Sequence, residues 1–390
     1  MDLTPLSRAV ERSRTVQIIA NSGTGLSSIA AQVHATWPGA KVVGQDPVAH
    51  ITYLRDTVIE EVAVGLEQHG VPRPEMQSRC EAILAAAGLT ELAERNPAKL
   101  SGGQTRRLAI AAVAVLSPSI LLLDDPFAGL DPQSARRIAD LLEALPSNIV
   151  ILGNHPRALR ASNADAEFLT IVDGTLVEGL PAPHTAQLPA RVPATGRAPL
   201  DLGEVSATRG GQKRTWWQFR ARTEPEFTAG PIRLVARPGE VLWLRGENGS
   251  GKTTLLRAMA GLDGNPGVGV PTSLALQRAA DQLAESTVGD FVADPDAVDA
   301  LGLDPERHPL DLPAAHLRLA QLAQVFAQGR ALVLLDEPDV HLDPPNRDRA
   351  HAIIADGLNR GQAVVLTCHD ESFAAEVGEY AHIHEVWLQV

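Results

Sequence analysis

The chain has two cysteines in 390 residues, Cys80 and Cys368, one in each half and neither in a CxxC pair. Two buried thiols in a reducing compartment are expected, rather than a disulfide framework. Aromatic residues make up only 4%, so base or ring stacking is not a main theme. Basic residues are outnumbered, 34 Lys and Arg against 47 Asp and Glu, for a formal charge of −13. Nucleic-acid binders need a basic face to displace counterions, so that class is disfavoured, although a local basic patch is compatible with this balance. No apolar run approaches the roughly 20 residues of a bilayer span, and "MDLTPLSRAVERSR" has no signal-peptide core. A soluble chain is expected, one that reaches a membrane only by docking on another protein.

What remains is ordinary for a globular protein, with 44% hydrophobic and 21% charged residues, and the length suits two or three domains. The stretch from Gly179 to Asp201 is rich in Pro and Ala without helical or strand period, and reads as a semi-extended linker. On either side the same order of elements recurs, which marks a duplication. The expected division is a first domain over 1–180, a linker over 181–200 and a second domain over 201–390.

In the first half "TVQIIA" (Thr15–Ala20) is a buried strand, and "KVVGQDP" a second strand ending at Gln45. Two helices follow, in "TVIEEVAVGLEQHG" and "PEMQSRCEAILAAAGL". "LSGGQTRRLAIAAVAVL" (Leu100–Leu116) is a glycine turn running into a helix. "SILLLDDP" ends a strand in two acids, and "NIVILGNHP" ends another at His155. The second half repeats this with "EVLWLRG", "SLALQRA" carrying Gln277, "LPAAHLRLAQLAQVFA", "ALVLLDEP" and "AVVLTCHD" carrying His369. Continuous apolar strands alternating with helices predict an α/β fold with a parallel sheet covered on both faces.

"GENGSGKTT", Gly246 to Thr254, is a G-x-x-x-x-G-K-[ST] phosphate loop between a strand and a helix. Gly246, Asn248, Gly249, Ser250 and Gly251 let backbone N–H groups curl round phosphate oxygens at a helix N-terminus. Lys252 reaches the phosphate charge, and the hydroxyls of Thr253 and Thr254 follow, Thr253 placed to hold Mg²⁺. A bare glycine turn would explain the glycines but not the lysine and threonine. Asp336 ends a buried strand, where it can hold Mg²⁺ together with Gln277. Glu337 beside it can act as general base for water, and His369 can orient that water. An acid after a strand is often only a helix cap, and a lone histidine only a loop residue, but both halves repeat the pattern.

The first half has "ANSGTGLSS", Ala20 to Ser28, with Gly23, Gly25, Ser27 and Ser28 in place. Leu26 stands where the lysine belongs and Ala20 where the first glycine belongs. Gln45, Asp124 and His155 are retained, while Asp125 replaces the glutamate and shortens its reach by one methylene. "LSGGQ" itself, Ser101, Gly102, Gly103 and Gln104 after Leu100, opens a helix with free N–H groups, a second anion-binding terminus.

These motifs together resemble a pair of ATP-binding cassette (ABC) ATPase domains, over nearly the whole chain. The resemblance implies two tandem P-loop domains, each with a helical subdomain, using ATP and Mg²⁺ and meeting head to tail as an internal pseudo-dimer. It implies that the signature of one cassette caps the γ-phosphate in the loop of the other. One site would then join Gly246–Thr254, Gln277, Asp336, Glu337 and His369 to LSGGQ, and be complete. The other would join the loop lacking lysine to "LPAAH" (Leu312–His316), where Pro313 removes a donor and Ala314 and Ala315 replace glycines. That degenerate site either holds a nucleotide statically or serves only as a structural partner. The first half starts too near its loop to include the strands that usually carry an adenine-stacking aromatic. Trp216 and Trp217 are candidates in the second half, with a core or surface role equally open.

The stretch from "QDPVAHITYLRDTVIEEVAVGLEQ" to "LSGGQTRRLAIA" is similar to the ATPases of energy-coupling factor (ECF) transporters, prokaryotic importers of micronutrients. The second half departs from it, since Leu312 follows Gln277 by 35 positions where Leu100 follows Gln45 by 55. The resemblance implies a subunit on the cytoplasmic face of the membrane. Its partners would be a transmembrane coupling subunit and a separate membrane subunit capturing a vitamin or metal ion. Alternatives are another ABC importer or exporter, a soluble ABC protein acting on ribosomes, and a regulatory module without turnover. A chromosome ATPase would need a coiled-coil insertion, and no sustained heptads appear.

Overall fold

The computed structural model describes residues 1–156, 166–209, 227–247, 249–368 and 370–388. It divides into two compact units, Met1–Pro183 and His184–Val390.

The first unit runs α1 (Thr4–Arg12), β1 (Thr15–Ile19), α2 (Leu26–Thr36), β2 (Ala40–Val43), α3 (Val58–Gln68), α4 (Arg73–Ala86), α5 (Gly102–Ala114), β3 (Ile120–Asp124), α6 (Pro132–Ala144), β4 (Asn148–Gly153), β5 (Glu167–Val172) and β6 (Thr175–Glu178). Its sheet has the order β2-β3-β4-β1-β5-β6. The pairs from β2 to β5 are parallel, and β6 is antiparallel to β5. Successive strand residues go to opposite faces, which is why the strands read as unbroken apolar runs. Ile120 and Leu122 join Val16, Ile18, Leu6 and Ile29 on one side. Leu121 and Leu123 join Ile149, Val62, Leu84 and Leu108 on the other. β2 stops two residues short of Gln45, which therefore lies in the loop after the strand. α1 was not expected. Leu6 and Ala9 bury one face of it against this sheet.

The second unit runs β7 (Leu200–Arg209), β8 (Phe227–Ala236), β9 (Glu240–Arg245), α7 (Lys252–Met259), β10 (Thr272–Ala275), α8 (Val288–Val292), α9 (Pro295–Ala300), α10 (Ala314–Ala327), β11 (Leu332–Asp336), α11 (Pro344–Asn359), β12 (Ala363–Thr367), α12 (Glu371–Tyr380) and β13 (His382–Trp387). Its parallel sheet has the order β10-β11-β12-β9-β13, and β7 pairs antiparallel with β8. Val333, Leu335 and Trp243 face α10 and α12. Leu334, Leu242 and Leu244 face α7 and the β7–β8 pair. In the helical insertion, α8 and α9 have 5 and 6 residues where α3 and α4 have 11 and 14, so the shortening after Gln277 falls on two helices.

The Pro- and Ala-rich stretch has no regular structure over 180–199. It is not detached from the second unit, because Val192 is buried in that unit's core and its N–H donates to Tyr380 O at 2.7 Å. No helix among the described residues is long and apolar enough to cross a membrane.

Candidate functional site

In the second unit β9 delivers the chain into the loop at Gly246, and α7 leaves it at Lys252. Gly249 and Gly251 have φ of +82° and +91°, a region that side chains resist. A Cβ on Gly251 would also stand 2.4 Å from the Ala229 Cβ and 2.9 Å from the Phe227 ring, so β8 packs directly on the loop. Lys252 is buried and folded back, its Nζ donating to the carbonyls of Gly246 at 2.7 Å and Glu247 at 3.0 Å.

Two further strand ends meet beside α7. Thr253 and Thr367 both donate through their hydroxyls to Asp336 Oδ1, at 3.1 and 2.8 Å. The other oxygen, Asp336 Oδ2, is buried with no hydrogen-bond partner among the described residues, as is Ser250 Oγ. Burial raises the Asp336 carboxyl pKa, the Glu337 charge adds to the rise, and the Thr367 and Thr253 hydroxyls oppose it. A hydroxyl and an unsatisfied carboxylate oxygen in one buried corner are the oxygen donors a hard dication takes, so the residues present fit Mg²⁺.

Glu337 is buried and left-handed at φ +50°, held there as its N–H reaches Thr367 O at 3.0 Å and Oγ1 at 3.2 Å. Its carboxylate accepts from Gln277 Nε2 at 2.6 Å, so two of the three expected catalytic side chains are in contact. Asn248, His369, Trp216 and Trp217 lie outside the described residues. Thr254 is the third residue of α7.

Sequence reasoning missed Arg318. It stands in the first turns of α10, fully buried, and donates to Leu276 O at 3.0 Å, to Gln321 at 2.6 Å and to Gln277 O. Burial lowers its pKa to about 10 despite the nearby acids. Arg318 thus ties the signature helix to the backbone that carries Gln277. Arg106, at the matching place on α5, donates to Asp125 O at 2.8 Å and to Gln45 O at 3.5 Å. The recurrence of an arginine five places after Ser101 and after Pro313 was the signal available in the sequence.

In the first unit the loop retains its backbone form, with φ of +81° at Gly23 and +104° at Gly25. A Cβ on Gly25 would meet only Met1 Cε, at 3.9 Å. Leu26 opens α2 where Lys252 opens α7. Ser28 is exposed, and nothing is described for the Ser27 side chain. Asp124 pairs in register with Leu152 where Asp336 pairs with Thr367, so the second hydroxyl is missing. Burial and the adjacent Asp125 charge push the Asp124 pKa up to about 6. Asp125 keeps the left-handed backbone, at φ +46°. Gln45 and His155 lie in the loops just past β2 and β4, His155 exposed.

Ser101 and Gln104 form a capping box on α5, Gln104 N donating to Ser101 Oγ at 3.4 Å and Ser101 N to Gln104 Oε1 at 2.9 Å. A Cβ on Gly103 would stand 2.9 Å from Ser134 Oγ, whereas one on Gly102 would meet nothing within 4 Å. A side chain at Gly103 would thus have to displace Ser134, whereas Gly102 fronts open space. At the matching place Pro313 caps α10 without a side-chain hydrogen bond, Ala315 is buried, and burial lowers the His316 pKa.

The family profile described as ABC transporter matches residues 3–128 and 230–268. A putative ABC transporter ATP-binding protein of Streptomyces avermitilis is 30% identical over 86% of this chain and 75% of its own length. One from Streptomyces coelicolor is 29% identical over 86% and 76%. An energy-coupling factor transporter ATP-binding protein of Levilactobacillus brevis is 28% identical over 57% of this chain and 92% of its own. Among solved structures, an archaeal ribosome recycling factor crystallised with a ribosomal stalk protein shares the fold at a TM-score of 0.58. It is 17% identical and is matched over 95% of this chain and 82% of that one. An RNase-L inhibitor gives a TM-score of 0.56 at 18% identity.

Proposed function

The chain is an ATP-hydrolysing member of the ABC transporter ATPases with two cassettes fused, and we propose that it energises a membrane importer of ECF type. What carries the catalytic part is the second-half cluster, in which Gln277 and Glu337 touch at 2.6 Å beside a hydroxyl-bonded Asp336 with a spare oxygen. In this reading Gly246–Thr254, with Asn248, binds the ATP phosphates and Lys252 leaves its loop carbonyls to pair with them. Thr253, Asp336 and Gln277 would hold Mg²⁺, which neutralises charge on the phosphates. Glu337 takes the proton of the attacking water as it bonds to the γ-phosphorus, ADP leaves, and His369 orients the water. Ser101, Gly102, Gly103 and Gln104 complete that site from the first half.

The first-half loop, lacking a lysine, turns nothing over. Gly23, Gly25, Ser27 and Ser28 with Gln45, Asp124, Asp125 and His155 form the degenerate site. The transporter assignment is supported by the segment after Gln45, where Val48, Tyr53 and Leu54 are exposed, Leu54 at 86%. Large apolar side chains left in water beside a nucleotide-sensing loop suit a membrane partner's helix. The partners are a transmembrane coupling subunit and a substrate-capture subunit, at the cytoplasmic face of the membrane, without nucleic acid. A soluble role like that of the ribosome recycling factor is the second reading, since it shares the two-cassette fold. Affinity purification from detergent-solubilised membranes, read by mass spectrometry, tests this. Two small membrane proteins in the eluate are expected, while ribosomes alone would favour the second reading.

A further inference from the structure

At the end of β9 and β13 away from the phosphate loop, three metal-ligating side chains converge. β13 is the edge strand beside β9, with His382 in register with Glu240 and His384 with Leu242. The face these residues share is aliphatic further along, where Leu242 and Leu244 are buried in the core and Val386 packs against it. At the start of the strands that aliphatic pattern gives way to Glu240, His382 and His384. One donor atom from each lies within 4.8 Å of the others. His384 Nε2 stands 2.7 Å from Glu240 Oε2, and the two imidazole rings are 4.4 Å apart. Glu240 and His384 are half-buried and His382 is exposed, so the cluster is held by the sheet yet open to solvent.

We propose that Glu240, His382 and His384 bind a divalent transition-metal ion of the zinc type, independently of the nucleotide site and of the transport reading. Two imidazoles and a carboxylate are a recurrent three-ligand set for Zn²⁺, and the fourth position is left for water. Tetrahedral bonds of about 2.0–2.1 Å require donors about 3.4 Å apart, so the exposed His382 ring must close by roughly 1 Å. Glu240 and His384 already meet, and the ion takes the place of the proton between them. Arg237 is a cation beside the cluster, its guanidinium lying 3.3 Å from His384 Nε2. It is exposed and free to swing into solvent as the ion enters. The cluster sits at the opening end of β9, and the phosphate loop begins where β9 ends, so the five residues Val241–Arg245 separate Glu240 from it.

The test is calorimetric titration of ZnCl₂ into the full chain, tag removed and nucleotide absent, against His382→Ala, His384→Ala and Glu240→Gln. One-to-one binding that weakens more than about tenfold in each variant is expected, since even outer-shell losses cost about 10–100-fold. ATP affinity and the metal-free melting temperature should stay unchanged in His382→Ala, whose side chain is exposed. Absence of saturable binding, or equal affinity in His382→Ala and the parent, would overturn the site. X-ray absorption of the zinc-loaded parent should show two imidazoles, and an all-oxygen shell would overturn it equally. Failure of the ATPase reading would leave these results untouched.

Discussion

Glu337 and Asp125 hold the same strained backbone at the same place, φ +50° and +46°, and differ by one methylene. A left-handed non-glycine residue costs on the order of 1–3 kcal/mol and persists only where its surroundings demand it. In the second half the strain aims a carboxylate at Gln277. Glu337→Gln is therefore expected to retain ATP binding and lower turnover by about 10²–10⁴, the usual worth of a general base. A steady-state phosphate-release assay checks it, and a rate within twofold of the parent would remove Glu337 from the mechanism. Asp124 offers a test by pH. Its pKa is raised to about 6, so the folded state holds its proton more tightly than the unfolded chain. That stabilisation is present below about 4 and is lost as pH rises through about 6. At pH 7.5 Asp124→Asn should therefore be more stable than the parent by about 1–2 kcal/mol, less than the full shift implies because the group is partly solvated. The gap should close as melting is repeated towards pH 4.5, and a gap that widens on acidification would contradict the burial argument.

At the scale of elements, the two phosphate loops share a backbone and differ in what lies against it. Gly251 meets Ala229 and Phe227 on β8, and Gly25 meets almost nothing. Gly251→Ala is expected to displace the loop, abolish ATP binding and lower stability by more than about 2 kcal/mol, because strain and collision add. Gly25→Ala should cost about 1–2 kcal/mol, from its backbone angle alone. Thermal melting with and without ATP distinguishes them, and equal costs would mean that β8 does not brace the loop. The antiparallel β7–β8 pair responsible was not legible beforehand, since Phe227 and Ala229 belong to a pattern no phosphate motif contains. The central strands β1–β4 and β9–β12 were legible because their faces are largely buried, leaving "ILLLD" and "LVLLD" without a polar break. Towards the sheet edges, β5, β6 and β13 mix polar and exposed positions and went unread. α1 went unread although Leu6 and Ala9 lie on one face and Arg8, Glu11 and Arg12 on the other, because it is short and precedes every motif of the first half. Thr367 was passed over for another reason: its role is to bond Asp336 from an adjacent strand, and pairing register cannot be read from one segment.

Across the whole molecule the losses have a direction that neither half explains alone. The first half lacks the lysine, the glutamate and the threonine opposite Asp124, yet keeps LSGGQ in a capped helix with Gly102 facing open space. The second half keeps every phosphate-loop and acidic residue, yet its α10 begins Pro-Ala-Ala, with one donor fewer and a buried Cβ where Gly103 would be. If each half worked by itself, the first would have no reason to retain its signature and the second no means of replacing one. The proposed division of labour follows, with the first half's signature serving the second half's ATP. Ser101→Arg is then expected to abolish turnover although it lies in the half without the lysine, while Asp125→Asn, in that same half, leaves the rate within about twofold. Because Ser101 also caps α5, Ser101→Ala is the control: it loses the cap, at about 1 kcal/mol, but leaves the N–H groups accessible. Turnover retained in Ser101→Ala and lost in Ser101→Arg would locate the effect at the bound phosphate. Parent-like activity in Ser101→Arg would mean that the second half hydrolyses ATP unaided.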